Sequence, residues 1–436
     1  MKLRDFLELD FLLLFSALIL TIFGILFIYS SGITATEVSV STEYIRQIVW
    51  ASVSLVVALV LAISNYSRIY YISTYLYFAA IAVLIITLFA GTVVNGARAW
   101  LHIGSFGIQP SEFTKIITIL FLSQYLDISK RNTNDLKRFA VSCAICLFPM
   151  GLILLQPDFG TSLVFIPILI VVTFVAGISA RYIVFTGSCI ALTGIFAILP
   201  LWQTMILKKT STYLLLLNDM RFLGGAALLF TIIGAIAFWG FVRYRKYYFY
   251  WIDYAVLLLI VSFVLSFVMR KMLKDYQIMR LIVFLDPNVD PRGAGWNIIQ
   301  SITAIGSGGF WGKGYLQGTQ SHYRFLPQQS TDFIFSIFSE EWGLVGGILV
   351  FVLFLIICLR LIKIMKNTQD AFGTYIAAGL SSIYVFHFLI NVGMTMGIMP
   401  ITGIPLFFMS YGGSALISAM SGIGLALSIH IRRFQR

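Results

Sequence analysis

The sequence predicts an all-α fold, a polytopic membrane bundle of about twelve transmembrane helices with one large extracytoplasmic loop. Three observations predict it. Of 436 residues, 59% are hydrophobic and only 11% are charged. The apolar residues gather in runs of about 18 to 22, each long enough to cross a hydrocarbon layer of roughly 30 Å. Between these runs no stretch could hold a soluble domain of about a hundred residues, so any chemistry has to be built from helix ends and loops.

In chain order the expected spans are residues 10–31, 44–63, 70–91, 111–127, 138–156, 160–177, 181–201, 220–242, 251–270, 331–358, 373–397 and 405–431. The first follows Lys2 and Arg4 but is longer than a signal-peptide core and lacks a small-residue cleavage site, so it reads as retained. The fourth follows Pro110, with Ser111 placed to cap it and Glu112 and Lys115 three apart on one face. Neutralising each other lowers the cost of burying both, and a plain ion pair or a conformational or catalytic role fits equally. Cys143 and Cys146 form a C-x-x-C in the fifth, but with Cys189 and Cys358 they read as small polarizable core residues. Asp158, after Gln156-Pro157, and Asp332, after Thr331, sit at expected helix starts, where a carboxylate suits the helix dipole. Glu340 and Glu341 lie a few turns into a span, and acids at that depth should face protein.

The net charge of +12 does not point to nucleic acid. With a cytoplasmic amino terminus, Arg68, Lys130, Arg131, Lys137, Arg138, Arg181, Arg243, Arg245, Lys246, Arg360, Lys363, Lys366, Arg432, Arg433 and Arg436 all fall in inner segments, the positive-inside pattern. Outer segments hold Arg98, Lys208 and Lys209 beside Glu37, Glu43 and Asp158. An even span count returns the carboxyl terminus to the cytoplasm and leaves residues 271–330 outside.

That outer segment is too long for a simple turn. Its interleaved apolar residues, among them Trp296, Ile298, Ile302 and Phe310, suit short amphipathic helices at the interface or folded back on the bundle. In D-P-N-V-D-P-R-G-A-G, Pro287 and Pro291 prevent a regular helix, while Gly293 and Gly295 permit a tight backbone path. Asp286 or Asp290, partly desolvated there, could act as a general base, or could simply be a turn carboxylate. Arg270, Lys271, Lys274, Arg280, Arg292, Lys313 and Arg324 outnumber the acids and suit a phosphate or pyrophosphate. For Arg270, Lys271 and Lys274, at a helix end, lipid head groups are the simpler partner. The run at residues 306–314 fails the P-loop and dinucleotide patterns, which leaves close turn packing. His102, His322, His387 and His430 have no ligand-spaced neighbours, so no metal site is expected from them. Ser410-Tyr411-Gly412-Gly413-Ser414 does not match a nucleophile elbow.

Five long stretches, residues 96–115, 156–162, 284–301, 331–343 and 400–414, together resemble the SEDS family of bacterial cell-wall polymerases, and residues 318–327 look more like its RodA type than its FtsW type. The resemblance implies a single integral membrane domain over residues 1–436 and a peptidoglycan glycosyltransferase that joins lipid II units and releases undecaprenyl pyrophosphate. It aligns Asp290 with the family's essential outer-loop aspartate, the base for the acceptor hydroxyl. It also aligns Glu112 and Lys115 with a family ion pair linked to activity. The expected substrate contacts are the loop cations Arg292, Arg280, Lys313 and Arg324 with Gln300 and Ser301, and the expected supporting residues are Glu112, Lys115, Asp158, Asp332, Ser410 and Gly412. A class B penicillin-binding protein is the implied partner, the bacterial inner membrane the implied location. Mg²⁺ or Mn²⁺ could bridge Asp290, Asp286 and pyrophosphate oxygens. The chain departs from the family at residues 327–330, where Glu and His are usual, and residues 200–250 read as an inserted helical pair added to a ten-span fold. Two other functions compete: a flippase for the same lipid-linked precursor, which would call for broken helices at mid-depth, and a scaffold that recruits cell-wall synthases.

Overall fold

The computed structural model describes residues 9–34, 41–94, 96–104, 106–130, 133–202, 220–272 and 275–433. Lys2, Arg4, Glu37, Arg131, Lys208, Lys209, Lys274 and Arg436 lie outside them, as do residues 203–219 of the expected inserted pair. Each of the twelve expected spans overlaps helix, and ten described helices are long and apolar enough to cross a membrane. The fourth span falls short because Glu112, Lys115 and Asp127 load it with charge. The sixth falls short because it is only 17 residues, Phe159–Val175.

The backbone divides into two compact units. The first, Met1–Ile178 with Asn297–Arg436, contains α1 (Phe11–Ser31), α2 (Glu43–Ile63), α3 (Tyr66–Ala90), α4 (Pro110–Ser129), α5 (Asp135–Leu155), α6 (Phe159–Leu163) and α7 (Phe165–Val175). The second, Ser179–Trp296, contains α8 (Ala180–Trp202), α9 (Met220–Tyr244), α10 (Tyr247–Met272) and α11 (Asp275–Leu285). The chain then returns to the first unit through α12 (Ala294–Ser307), α13 (Thr319–His322), α14 (Ile334–Asn367), α15 (Ala371–Thr395) and α16 (Gly413–Ile431). The short helices of residues 275–322 are the ones that interleaved apolar residues led us to expect.

One element has no counterpart among the sequence-based expectations. Residues 92–108 form a three-stranded antiparallel sheet, β1 (Thr92–Val94), β2 (Ala97–Ile103) and β3 (Phe106–Ile108), in that order. Its signals were Asn95-Gly96, a hairpin dipeptide, and the two turn glycines Gly96 and Gly104 at φ 85° and 63°.

In the first unit, interhelix polar bonds collect helix ends into two groups. Asp10, the N-cap of α1, receives two hydrogen bonds from Arg360 Nε at 2.9 and 2.7 Å and is 2.6 Å from its Nη2. Tyr66 donates to Asp370 at the start of α15 (2.7 Å), and Ser428, near the end of α16, donates to the Ser64 carbonyl after α2 (2.6 Å). Arg138 is buried at the start of α5, beside Ser129 at the end of α4 and Asp135. Arg138, Arg360 and Arg432 therefore all sit at ends that alternation assigns to one side. At the other ends, Arg98 N donates to the Gln156 carbonyl and Ser301 to the Thr395 carbonyl.

Two expected spans differ from the helices that form. Residues 405–412 belong not to a helix but to an irregular buried segment, 400–412, because Pro400, Pro405 and Gly403 (φ 73°) break helical continuity. Non-helical backbone at membrane depth needs protein around it to take up its polar groups. Here Leu406 N donates to Ser410 Oγ, and Tyr411 N donates to the Ser330 carbonyl. Gly24 of α1 lets this segment approach, since a Cβ there would lie 2.7 Å from Met409 Cα. The second difference is α14, which runs 34 residues but is interrupted at Gly343 (φ 63°, ψ −158°).

Candidate active site

In the second unit, the proline-flanked acids form the expected irregular turn. Pro287–Val289 is a single 3₁₀ turn, with Asp286 as its N-cap accepting from Asn288 N at 2.9 Å and Asp290 as its C-cap. The Asp290 carbonyl then accepts from Gly293 N (3.3 Å) and Gly295 N (3.0 Å), which leads the chain directly into α12. Gly295 is required by backbone proximity, whereas Gly293 leaves room for the Asp290 carboxyl in the position it takes. A Cβ at Gly293 would lie 2.1 Å from Asp290 Oδ2, and one at Gly295 would lie 2.2 Å from the Pro287 carbonyl oxygen. The Asp290 side chain thus folds over the Gly293 backbone at the N-terminal end of α12, partly exposed, with Arg292 exposed two residues on and Arg280 half-buried on α11. A carboxylate at a helix N-terminus meets the positive end of the helix dipole.

In the first unit, the glycine-rich run is the partner of the break in α14. Interrupting a helix frees carbonyls before the break and N–H groups after it, and buried groups of that kind need partners. Lys313 N and Gly314 N donate to the Glu340 and Glu341 carbonyls at 3.0 and 2.9 Å, while Leu344 N and Val345 N donate to the Gly309 and Phe310 carbonyls at 2.9 and 3.2 Å. Only glycine fits at the closest points: a Cβ on Gly312 would lie 2.1 Å from the Glu341 carbonyl oxygen. The two glutamate side chains extend the clamp. Glu340 Oε1 accepts from Lys313 Nζ (2.8 Å), Thr319 N (2.8 Å), Thr319 Oγ1 (3.0 Å) and Gln320 N (3.0 Å). Glu341 accepts from Leu316 N at 3.0 Å and from Ser30 Oγ of α1. Both acids are completely buried and face protein, as their depth required. Beside them a pocket of about 370 Å³ is lined by Trp311, Tyr315, Glu341 and Trp342 among others. Burial and the nearby Glu341 carboxylate push the Tyr315 hydroxyl up to about 12.

The Glu112 and Lys115 pair is real, at 2.8 Å, with both side chains almost fully buried. The helix carrying it starts one residue earlier than expected: Pro110 occupies its first position and Gln109, not Ser111, is the N-cap. Proline suits that position because the missing N–H would have had no helical partner anyway. Lys115 has a second partner that sequence reasoning missed, His387 of α15, whose Nε2 lies 3.1 Å from Nζ. The available signal was the i, i+4, i+8 spacing of His387, Asn391 and Thr395, which sets one polar stripe on an apolar helix.

The other expected residues divide into those gathered and those apart. Asp158 N-caps α6, accepting from Thr161 N (3.1 Å) and Thr161 Oγ1 (2.8 Å), and also accepts from Gln109 Nε2 (2.8 Å). Asp332 lies just before α14, and its carbonyl accepts from Asn391 Nδ2 at 3.0 Å. Ser410 donates to the Thr331 carbonyl at 2.6 Å, and Gly412 N donates to Gln47 Oε1 at 3.3 Å. Ser301 is completely buried between Ser336 and the Thr395 carbonyl, each 2.6 Å away, while Gln300 beside it is half-buried. Arg324 is exposed at φ 57°. Among the described residues, no group of three His, Cys, Asp or Glu side chains could hold a metal ion. A divalent cation bridging Asp286 and Asp290 would need further oxygens from water, backbone carbonyls or a substrate.

Ten described helices long and apolar enough to span, one of them interrupted, together with a buried irregular segment define a multi-pass membrane protein. The sequence profile of the family described as cell cycle protein, FtsW/RodA/SpoVE, matches residues 10–221 and 212–435. The chain belongs to that family. It is 47% identical over 433 residues, 99% of this chain and 100% of the relative, to the peptidoglycan glycosyltransferase RodA of Treponema pallidum (strain Nichols). It is 32% identical to the peptidoglycan glycosyltransferase MrdB of Escherichia coli K12, covering 82% of this chain and 78% of that one. Among solved structures, a chain from a study of a peptidoglycan synthase complex that coordinates polymerization and crosslinking superposes with a TM-score of 0.67 at 24% identity, over 98% of this chain and 99% of that one. The rod shape determining protein RodA of Thermus thermophilus superposes with a TM-score of 0.61 at 23% identity, over 98% of each chain.

Proposed function

We propose that this chain is a peptidoglycan glycosyltransferase that polymerises lipid II outside the bacterial inner membrane, with both termini in the cytoplasm and a class B penicillin-binding protein as its partner. Family membership and the 47% identical relative support the activity. The observation that carries the assignment of the site is Asp290, held at the start of α12 by a 3₁₀ turn and by Gly295, with Gly293 leaving room for its carboxyl and part of its surface open. In the reaction the acceptor sugar hydroxyl oxygen forms a bond to the donor anomeric carbon and its proton passes to the Asp290 carboxylate. The bond from that carbon to the diphosphate breaks, and undecaprenyl pyrophosphate leaves with the electron pair.

Arg292, Arg280 and Arg324 are the cations proposed for the diphosphate, because a donor that carries its own leaving group needs charge stabilisation more than a second acid. Lys313 is already compensated by Glu340, which suits a supporting role in the clamp better than direct binding. Ser301, buried and doubly bonded, fixes α12 against α14 and α15, leaving Gln300 as the nearer candidate for substrate. Residues 200–250 remain proposed as an inserted pair whose exposed α9 face would meet lipid or the partner.

Substitution Asp290→Asn tests the reading. Polymerisation of lipid II by the purified chain with its partner is expected to fall by at least about a hundred-fold, the scale of a lost general base, with thermal stability kept. Full activity in that variant would remove Asp290 from the mechanism. The interrupted α14 and the irregular segment 400–412 favour a second reading, transport of the same lipid-linked precursor. Under it, Asp290→Asn would leave lipid translocation between vesicle leaflets intact and wild-type protein would polymerise nothing.

A further inference from the structure

We propose that His387 is a positioning residue for the polymerisation reaction, bridging the Glu112 and Lys115 ion pair to the irregular segment that holds the start of α14. The inference rests on the polymerase reading above. Lys115 is completely buried, and its ammonium has three hydrogens to place. Glu112 Oε1 takes one at 2.8 Å, His387 Nε2 takes another at 3.1 Å, and the Phe407 ring faces the ammonium with its centroid 5.3 Å away. An ammonium can only donate, so Nε2 must present its lone pair. On the other side of the ring, Nδ1 lies 3.0 Å from the Pro405 carbonyl, which can only accept, so Nδ1 must carry the hydrogen. The two partners thus assign the same neutral tautomer independently. The ring is held flat on Phe407, centroids 3.7 Å apart at 16°.

Those contacts make one imidazole the link between a charge on α4 and residues 405–407. The same segment reaches the chain just before α14. Ser410 Oγ donates to the Thr331 carbonyl at 2.6 Å, and Tyr411 N donates to the Ser330 carbonyl at 2.7 Å. Asn391, one turn along α15 from His387, closes the circuit by donating to both the Asp332 carbonyl (3.0 Å) and the Ile404 carbonyl (2.8 Å). An apolar residue at 387 would fill the same space but would leave Lys115 short of an acceptor and the Pro405 carbonyl short of a donor. Segment 400–412 would then lose its hydrogen-bonded tie to the ion pair and keep the Phe407 ring contact.

The experiment compares His387→Leu, His387→Phe, His387→Gln, Lys115→Met and the double variant Lys115→Met with His387→Leu, each purified with the penicillin-binding partner and assayed for kcat and KM on lipid II. His387→Phe keeps the ring on Phe407 without either nitrogen, so it decides the matter if the leucine variant does not fold. The expected result is a kcat lowered about ten-fold in the leucine and phenylalanine variants, on the scale of one lost bond to a charged group, with KM little changed. Glutamine, which keeps a donor and an acceptor, restores most of it. The double variant should be no slower than Lys115→Met alone, since His387 acts through Lys115. Unchanged kcat in the phenylalanine variant, or losses that multiply in the double variant, overturns the proposal while leaving the polymerase reading in place. Wild-type protein that polymerises nothing overturns both.

Discussion

Asp290 owes its position to glycine. The carboxylate lies over the Gly293 backbone, where a Cβ would come within 2.1 Å of Oδ2, so Gly293→Ala should displace it without touching any core packing. We expect that variant to lose most of its kcat on lipid II while its unfolding temperature in detergent shifts by only a few degrees, in keeping with a sub-kcal surface change of about 0.5 kcal/mol. Equal losses of stability and rate would instead make Gly293 a folding residue. The motif around Asp290 was legible because proline and glycine act through the local backbone, which the sequence states directly. His387 was not legible in the same way, since its partner Lys115 lies 272 positions away and a lone histidine on an apolar helix has many ordinary explanations.

At the level of elements, the glycine run 306–314 and the Gly343 interruption form one device. Neither is stable alone: beyond Ser307 the run has no regular structure of its own, and the broken helix would leave backbone groups without partners. Together they exchange four backbone hydrogen bonds and the ion pair between Lys313 and Glu340. Glu340→Ala should therefore destabilise the fold by about 3 kcal/mol, because it leaves a cation and two backbone N–H groups without their acceptor, and thermal unfolding in detergent would register it. Lys313→Met should cost less, since Glu340 keeps its bonds from Thr319 and Gln320. A glutamate variant as stable as the native chain would refute the clamp. The sheet at residues 92–108 teaches the converse lesson. Its seven-residue middle strand is too short to compete with the helical signals flanking it, and only the dipeptide at 95–96 and the glycine at 104 marked it.

Across the whole molecule, polar bonds between helix ends agree with the charge pattern. Arg138, Arg360 and Arg432 occupy ends that share one side, joined through Asp10, Ser129 and the carbonyls that close α2. Cysteine introduced at Arg433 should react with a membrane-impermeant thiol reagent only from the cytoplasmic face, and cysteine at Asn288 only from the outer face. Labelling of both from one face would invert the topology and place Asp290 on the wrong side for lipid II polymerisation. The Asp10 and Arg360 bond also joins the first helix to the far half of α14, so Arg360→Met should loosen that end by about 2 kcal/mol through the uncompensated carboxylate.

Hydropathy and charge in the sequence alone determined the membrane class and the sidedness expected of the loops, and its prolines and glycines the local turn that carries Asp290. These depend on transfer from water to lipid and on backbone dihedral limits, both of which act within about twenty residues. Tertiary structure alone decided that α14 breaks, which loop completes it, and that Lys115 shares its charge with a histidine on another helix. Such choices answer to the need to satisfy every buried polar group, and the partners that do so lie wherever the fold brings them.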